Sequence, residues 1–162
     1  MAYNNNPKLV NSGAGVVSEL SHTHVGTGTS SFVHGEFVYS NAGVITVCAS
    51  DAVLIYGQAL TDDGAAATEV VVRKILPGQL WKIKLYDTSD AAITTADEFT
   101  VGKAHGLVLA SSVWYVDHDE VTADAVVYQG PALQPGDKSD GSDCYWGLFR
   151  FLSTVCQAQT GN

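Results

Sequence analysis

The sequence predicts an all-β protein, a compact β-barrel or β-sandwich with an extended N-terminal arm, and three observations carry that expectation. Apolar residues recur at a period of two beyond Phe32. Those runs are rich in β-branched and aromatic residues and are separated by Gly, Asn, Asp and Pro turn formers. No segment combines ten or more residues of 3.6-residue periodicity with helix caps.

Residues 1–31 read as the arm and residues 32–162 as the body. Asn4, Asn5, Asn6, Pro7, Asn11, Ser12, Gly13 and Gly15 break regular structure, and residues 26–31 form a second stretch of Gly, Thr and Ser. Between them lie Leu9, Val10, Val16, Val17 and Leu20, too few to fold alone and more than a solvated linker needs. Such a segment suits an arm that packs on another surface.

In the body, Phe32–Tyr39 and Val44–Ala49 read as strands about an Asn41-Ala42-Gly43 turn. Val53–Leu60 follows, then the turn residues Thr61-Asp62-Asp63-Gly64 and the strand Glu69–Leu76, stopped by Pro77-Gly78. Leu80–Tyr86 alternates cleanly. Leu80, Lys82, Lys84 and Tyr86 share one face and Trp81, Ile83 and Leu85 the other, which puts the lysines on a solvent side or an edge. Asp87–Thr95 reads as a loop, Phe99–Val101 as a short strand and Leu107–Val116 as one long strand. Ala125–Gln129 ends at Gly130-Pro131, Gln134–Asp143 is a polar loop, and the aromatic density of Tyr145–Val155 favours a strand over a short helix. The body thus holds about eight to ten strands.

The 162 residues carry 8 Lys and Arg against 17 Asp and Glu, a formal net charge of −9, and only 15% are charged. Soluble domains average about 25%. An acidic balance disfavours nucleic acid and anionic membranes, whose affinity rests on Lys and Arg. The stretch before Asn11 lacks the charged start and apolar block of a secretory signal, and no run is long and apolar enough for a spanning helix. Charge is also unevenly placed. Arg73, Lys74, Lys82 and Lys84 are half of the cations, whereas residues 87–143 hold eleven acidic side chains against Lys103 and Lys138. Two solvated faces on adjacent strands and loops account for this division, and the sharper alternative is a dipolar subunit whose positive band meets an acidic partner, a copy of itself included. Cys48, Cys144 and Cys156 read as buried thiols, with a Cys144–Cys156 bridge left open.

Chemical motifs are weak. Gly13-Ala14-Gly15 lacks the third Gly and the βαβ context of a dinucleotide site. His22 and His24 could face one ion on a strand, as in a cupin, but no Glu or third ligand follows at the required spacing. His105 and His118 read as isolated loop residues. The acidic clusters Asp117-His118-Asp119-Glu120 and Asp137, Asp140, Asp143 lack calcium-loop spacing. No nucleophile signature is present. The expectation is a protein that is not an enzyme, with no cofactor and no metal.

The Gly/Asn/Ser-rich arm before an acidic all-β body, with turns such as Leu60-Thr61-Asp62-Asp63-Gly64 and the run Pro77-Gly78-Gln79-Leu80-Trp81, resembles the decoration (cement) proteins of tailed bacteriophage capsids. The resemblance is one of style across most of the chain, and no single motif carries it. It implies a structural virion protein, commonly trimeric, assembled in the host cytoplasm and seated on the capsid exterior. Its partner would be the major capsid protein, bridged by the arm residues Leu9, Val10, Val16, Val17 and Leu20. Arg73, Lys74, Lys82 and Lys84 are the subunit-interface candidates. The alternative is a carbohydrate-binding β-sandwich of a phage fibre or cell-surface assembly, with Trp114, Tyr115, Tyr145 or Trp146 as stacking platforms.

Overall fold

The computed structural model describes residues 7–11, 21–25, 32–42, 44–61, 69–86, 99–120, 122–132 and 146–157. Eleven strands run through them: β1 (Lys8–Asn11), β2 (Ser21–Val25), β3 (Phe37–Asn41), β4 (Val44–Val47), β5 (Gly57–Ala59), β6 (Glu69–Lys74), β7 (Leu80–Tyr86), β8 (Ala104–Ala110), β9 (Val113–Asp117), β10 (Val126–Pro131) and β11 (Trp146–Phe151). The fold is all-β, as the period-two pattern requires.

Strands β7, β11, β10, β8 and β9 close into a five-stranded barrel. Every pairing is antiparallel except β7 with β9, where Lys84 aligns with Tyr115 and Tyr86 with Asp117. Closure removes the open edges that invite aggregation. One edge of β7 therefore serves two neighbours: its second half takes β9, and its first half takes β1, with Lys8 opposite Lys82 and Leu9 opposite Trp81. The second sheet runs β2-β6-β5-β3-β4, all antiparallel.

Alternation explains the core. Trp81, Ile83 and Leu85 of β7 are fully buried and meet Leu107, Trp114, Val116, Val126, Tyr128 and Phe149. Phe37 of the second sheet plugs the barrel end where Trp81, Trp114 and Phe151 converge, at ring separations of 6.0, 5.3 and 5.4 Å. Such edge-on and tilted pairs add about 0.5–1.5 kcal/mol each beyond area burial. Gly147 makes this packing fit, since a Cβ there would lie 2.7 Å from Phe149 and 2.9 Å from Leu85 and Tyr128. A smaller cluster of Phe32, Val38, Ile45, Ala59, Val70 and Val72 belongs to the second sheet.

Two segments stitch the sheets together. The buried Gln58 amide donates to the carbonyl of Pro7, at 2.7 Å, and to that of Gly35, at 3.1 Å, so the chain entering β1 is held by β5 before it pairs with β7. Beyond β11, Cys156 bridges Ile55, and the Gln157 side chain both accepts from Ser40 N–H and donates to Ser40 C=O.

Several expectations need correction. Leu107–Val116 is two strands, not one. They turn at Ser111 and Ser112, both with positive φ (51° and 61°), the backbone of a two-residue hairpin that usually recruits Asn or Gly. Phe99–Val101 is irregular, and of Val53–Leu60 only Gly57–Ala59 forms a ladder. His105 is no loop residue; it is buried on β8. The expected solvent side for the β7 lysines holds for Lys82, which is half-buried, and fails for Lys84, which is 1% exposed. Alternation fixed its face correctly, and on that face Lys84 lies 5.4 Å from the ring of Trp146, its partner on the neighbouring strand. The segments 62–64, 87–95 and 134–143, and also Gly13, Ala14, Gly15, Val16, Val17, Leu20, residues 26–31, Cys144 and Tyr145, lie outside the described residues.

Candidate functional site

The site is built on the outer face of the barrel where β1, β7 and β11 lie side by side. Register does most of the work. Lys8 sits opposite Lys82 across one ladder, and across the other Trp146 pairs with Lys84 and Leu148 with Lys82. Residues aligned or two apart point to the same face, so three ammonium groups gather round one indole. The Nζ atoms of Lys8, Lys82 and Lys84 lie 5.4, 4.9 and 5.4 Å from the Trp146 ring centroid. These are cation–π distances, worth roughly 0.5–1 kcal/mol each at exposed positions and more when desolvated.

The layers differ in exposure. Lys8 is exposed and Lys82 half-buried, while Trp146 and Lys84 lie beneath at 5% and 1%. Burial pushes the Lys82 ammonium below its usual range, and the nearby charge of Lys8 adds to that. Like charges are thus held together at some electrostatic cost.

Two sets of residues that the sequence presented separately meet here. The arm contributes Lys8 and Leu9, and the positive band contributes Lys82 and Lys84. Leu9 is half-buried against the main core, and Val10 is 46% exposed. Arg73 and Lys74 do not join them. They sit on β6 in the other sheet, where Lys74 lies over the Tyr56 ring at 5.8 Å. Lys8 itself was missed as a site residue, because it stands alone in a polar segment and only pairing with β7 reveals its role.

A second cluster lies where β9 leaves the barrel. The Asp117 carboxylate accepts from Asp119 N–H at 3.1 Å, and the Glu120 carboxylate accepts from the N–H groups of Thr122 and Ala123 at 2.6 and 2.9 Å. Gly106 is needed beneath it, since a Cβ would lie 2.3 Å from Glu120 Cγ. These hydrogen bonds, that of the Thr122 side chain first, hold the Glu120 carboxyl below its ordinary range. Asp51 is pushed the other way, by burial first and then by the charges of Glu120 and Asp117. The result is a shaped acidic turn with Asp119 and Asp124 exposed.

His105 lies behind this turn, packed on Phe99 at 4.7 Å and on His118 at 6.0 Å. Neither of its ring nitrogens has a hydrogen-bond partner of full geometry among the described residues. Burial, then Lys103, lowers its pKa, with the His118 backbone and Asp124 acting weakly the other way. Among the described residues no group of three or more His, Cys, Asp or Glu is placed to hold a metal ion. His22 and His24 stand on β2 opposite Val72 and Val70. Cys48 and Cys156 are free, buried thiols whose pKa values burial pushes up to about 12, so they are not activated nucleophiles.

Of the proposed stacking platforms, Trp114 is a core residue at 0% exposure and Trp146 is covered. Tyr115 is half-buried and lies against Tyr86 at 5.2 Å. No helix among the described residues is long and apolar enough to cross a membrane. Comparison with family models, with curated proteins and with solved structures finds no match to this chain.

Proposed function

We propose that the chain is a structural virion protein that binds the outside of a tailed-phage capsid and stabilises it. One observation supports this reading above others: β1 of the arm and the Lys82–Lys84 half of the positive band share one face. Lys8 and Val10 of β1 stand beside Lys82 on a strand pinned by Gln58, so β1 is presented in an extended shape. An extended strand carrying exposed apolar and cationic side chains can lie along another subunit at low ordering cost. The major capsid protein is the proposed partner.

Co-sedimentation with purified expanded shells tests the reading. The full chain pellets with shells, and removal of residues 1–30 abolishes pelleting. Because that removal also takes β1 and β2 from their sheets, the point variant Val10→Asp is the finer probe and weakens binding at least about tenfold. A full chain that stays in the supernatant overturns the proposal. So does a Val10→Asp chain that binds unchanged, as far as the arm is concerned.

A further inference from the structure

We propose that the seam between β8 and β10 is an acid-operated latch, held shut by the neutral ring of His105 and released as that ring takes up a proton. The proposal goes beyond the binding role above and does not depend on what the chain binds. Its basis is where the imidazole sits in the barrel wall. Strands β8 and β10 align at Val126 with His105 and at Val127 with Ala104, and no further. The other barrel ladders are longer: β8–β9 runs from Gly106–Asp117 to Ala110–Val113, and β10–β11 from Val126–Phe151 to Pro131–Gly147. Bonds beside the short ladder complete the seam. Ala125 N–H donates to the His105 carbonyl at 2.9 Å, Tyr128 N–H to that of Lys103 at 3.0 Å, and Gly102 N–H to that of Tyr128 at 2.8 Å. His105 is thus a ladder residue and a backbone acceptor at the shortest join in the wall.

Its side chain is fully buried, and its ring forms a triangle with those of Phe99 and His118, at 4.7 Å from the first, 6.0 Å from the second and with 5.3 Å between those two. Phe99 packs in turn on Tyr128 of β10 at 5.4 Å, so the rings span the seam. A neutral imidazole suits that enclosure, whereas an imidazolium has a charge and two N–H donors to place. The ionisable groups around it do not take them. Lys103, just before it on the chain, is itself a cation. His118 is joined to Asp119 at 3.2 Å, and when protonated it sets a second positive ring beside His105. Glu120 accepts from the N–H groups of Thr122 and Ala123, Asp117 accepts from Asp119 N–H, and Asp124 is exposed. Asp51 is tied to the next turn of the wall through its N–H and the Leu107 carbonyl. None of these carboxylates hydrogen-bonds to the His105 ring. Burial first, and then Lys103, therefore favour the neutral ring, with the His118 backbone and Asp124 acting the other way. With the seam open, the ring meets water and takes its proton in the ordinary range near 6.5. Falling pH thus favours the open form, which uncovers Phe99 and Val126.

Amide hydrogen exchange on the full chain, corrected for the intrinsic rate at each pH, is the test. The amides of Ala125 and Tyr128 are less protected than those of the β7–β11 ladder, because the seam opens without the rest of the barrel. Between about pH 7.5 and 5.5 their protection falls roughly tenfold, the limit for uptake of one proton. In His105→Phe, which keeps a ring at the site, it changes by less than about twofold over the same range. Seam amides that exchange only together with the β7–β11 ladder overturn the proposal, and so does an equal fall in the phenylalanine variant. The native chain supplies a second readout should that variant fail to fold. The imidazole nitrogen resonances of His105 keep the neutral form below pH 6.5 while the seam is closed. A ring that charges at 6.5 or above with the seam still protected overturns the latch.

Discussion

On β11, Trp146 has three ammonium groups around its indole; two strands round the barrel, on β8, His105 is enclosed by Phe99 and His118. Each is centred on a buried ring, yet the groups gathered round the two rings differ. The indole offers its negative face to cations, so a lysine at 1% exposure keeps a favourable neighbour. The imidazole has rings about it, lacks a full hydrogen bond, and is pressed toward its neutral form. The difference teaches that two buried aromatic clusters can offer a titratable side chain different surroundings: a ring face turned to cations in one, rings without a full hydrogen-bond partner in the other.

The comparison breaks most visibly at its first member. Trp146→Ala removes the ring under all three lysines and opens a cavity, and costs about 3–5 kcal/mol in urea unfolding. Trp146→Phe, which keeps a smaller and weaker ring, recovers part of that. A loss below about 1 kcal/mol for the alanine variant means the ring does not organise the cluster. Gln58 supplies the reference case, a buried polar group whose partners are in place. Gln58→Leu strands the Pro7 and Gly35 carbonyls and costs about 1–3 kcal/mol by the same measurement.

His105 sharpens the other side through pH. Its folded pKa lies below the ordinary 6.5, so the unfolded chain takes up the proton first. Its contribution to stability is whole above pH 6.5 and declines as pH falls from there toward the folded value. Melting temperatures between pH 7.5 and 5.5 therefore fall in the native chain and fall less in His105→Phe, which costs under about 1.5 kcal/mol at neutral pH. Equal slopes in the two chains refute a buried neutral imidazole. The smallest effect belongs to Glu120→Gln. Glu120 is depressed, so its support exists above pH 4.5 and is lost as pH falls through the lowered value. The glutamine variant melts slightly lower at pH 7 and equals the native chain in strong acid.

Much of this architecture was legible. Strand β7 appears from Leu80 to Tyr86 as the alternation demands, and Pro77-Gly78, with Gly78 at φ 89°, turns the chain from one sheet into the other. The Ser111-Ser112 hairpin was not legible, since two serines carry none of the Asn-Gly signal and the flanking apolar residues run on without a break. The site was half legible. Lys82 and Lys84 were singled out by charge and spacing, but their joining with Lys8 and Trp146 depends on β1 and β11 taking opposite edges of β7. Likewise, His105 and His118 are thirteen positions apart, and only the β8–β9 hairpin brings their rings together.

The two stitches between the sheets bear on the order of assembly. Pro7 and Gln58 are 51 positions apart, and Ser40 and Gln157 are 117. During synthesis Pro7 and β1 emerge long before β5 and β7 exist, and Ser40 waits for almost everything that follows it. Closing such long loops is slow compared with forming the β8–β9 or β10–β11 hairpins. The barrel and the second sheet each have local pairings to start from, whereas their union is a late event. A ribosome-bound chain stopped before residue 80 is then the state in which β1, with Lys8 and its exposed valine, still seeks an edge to join.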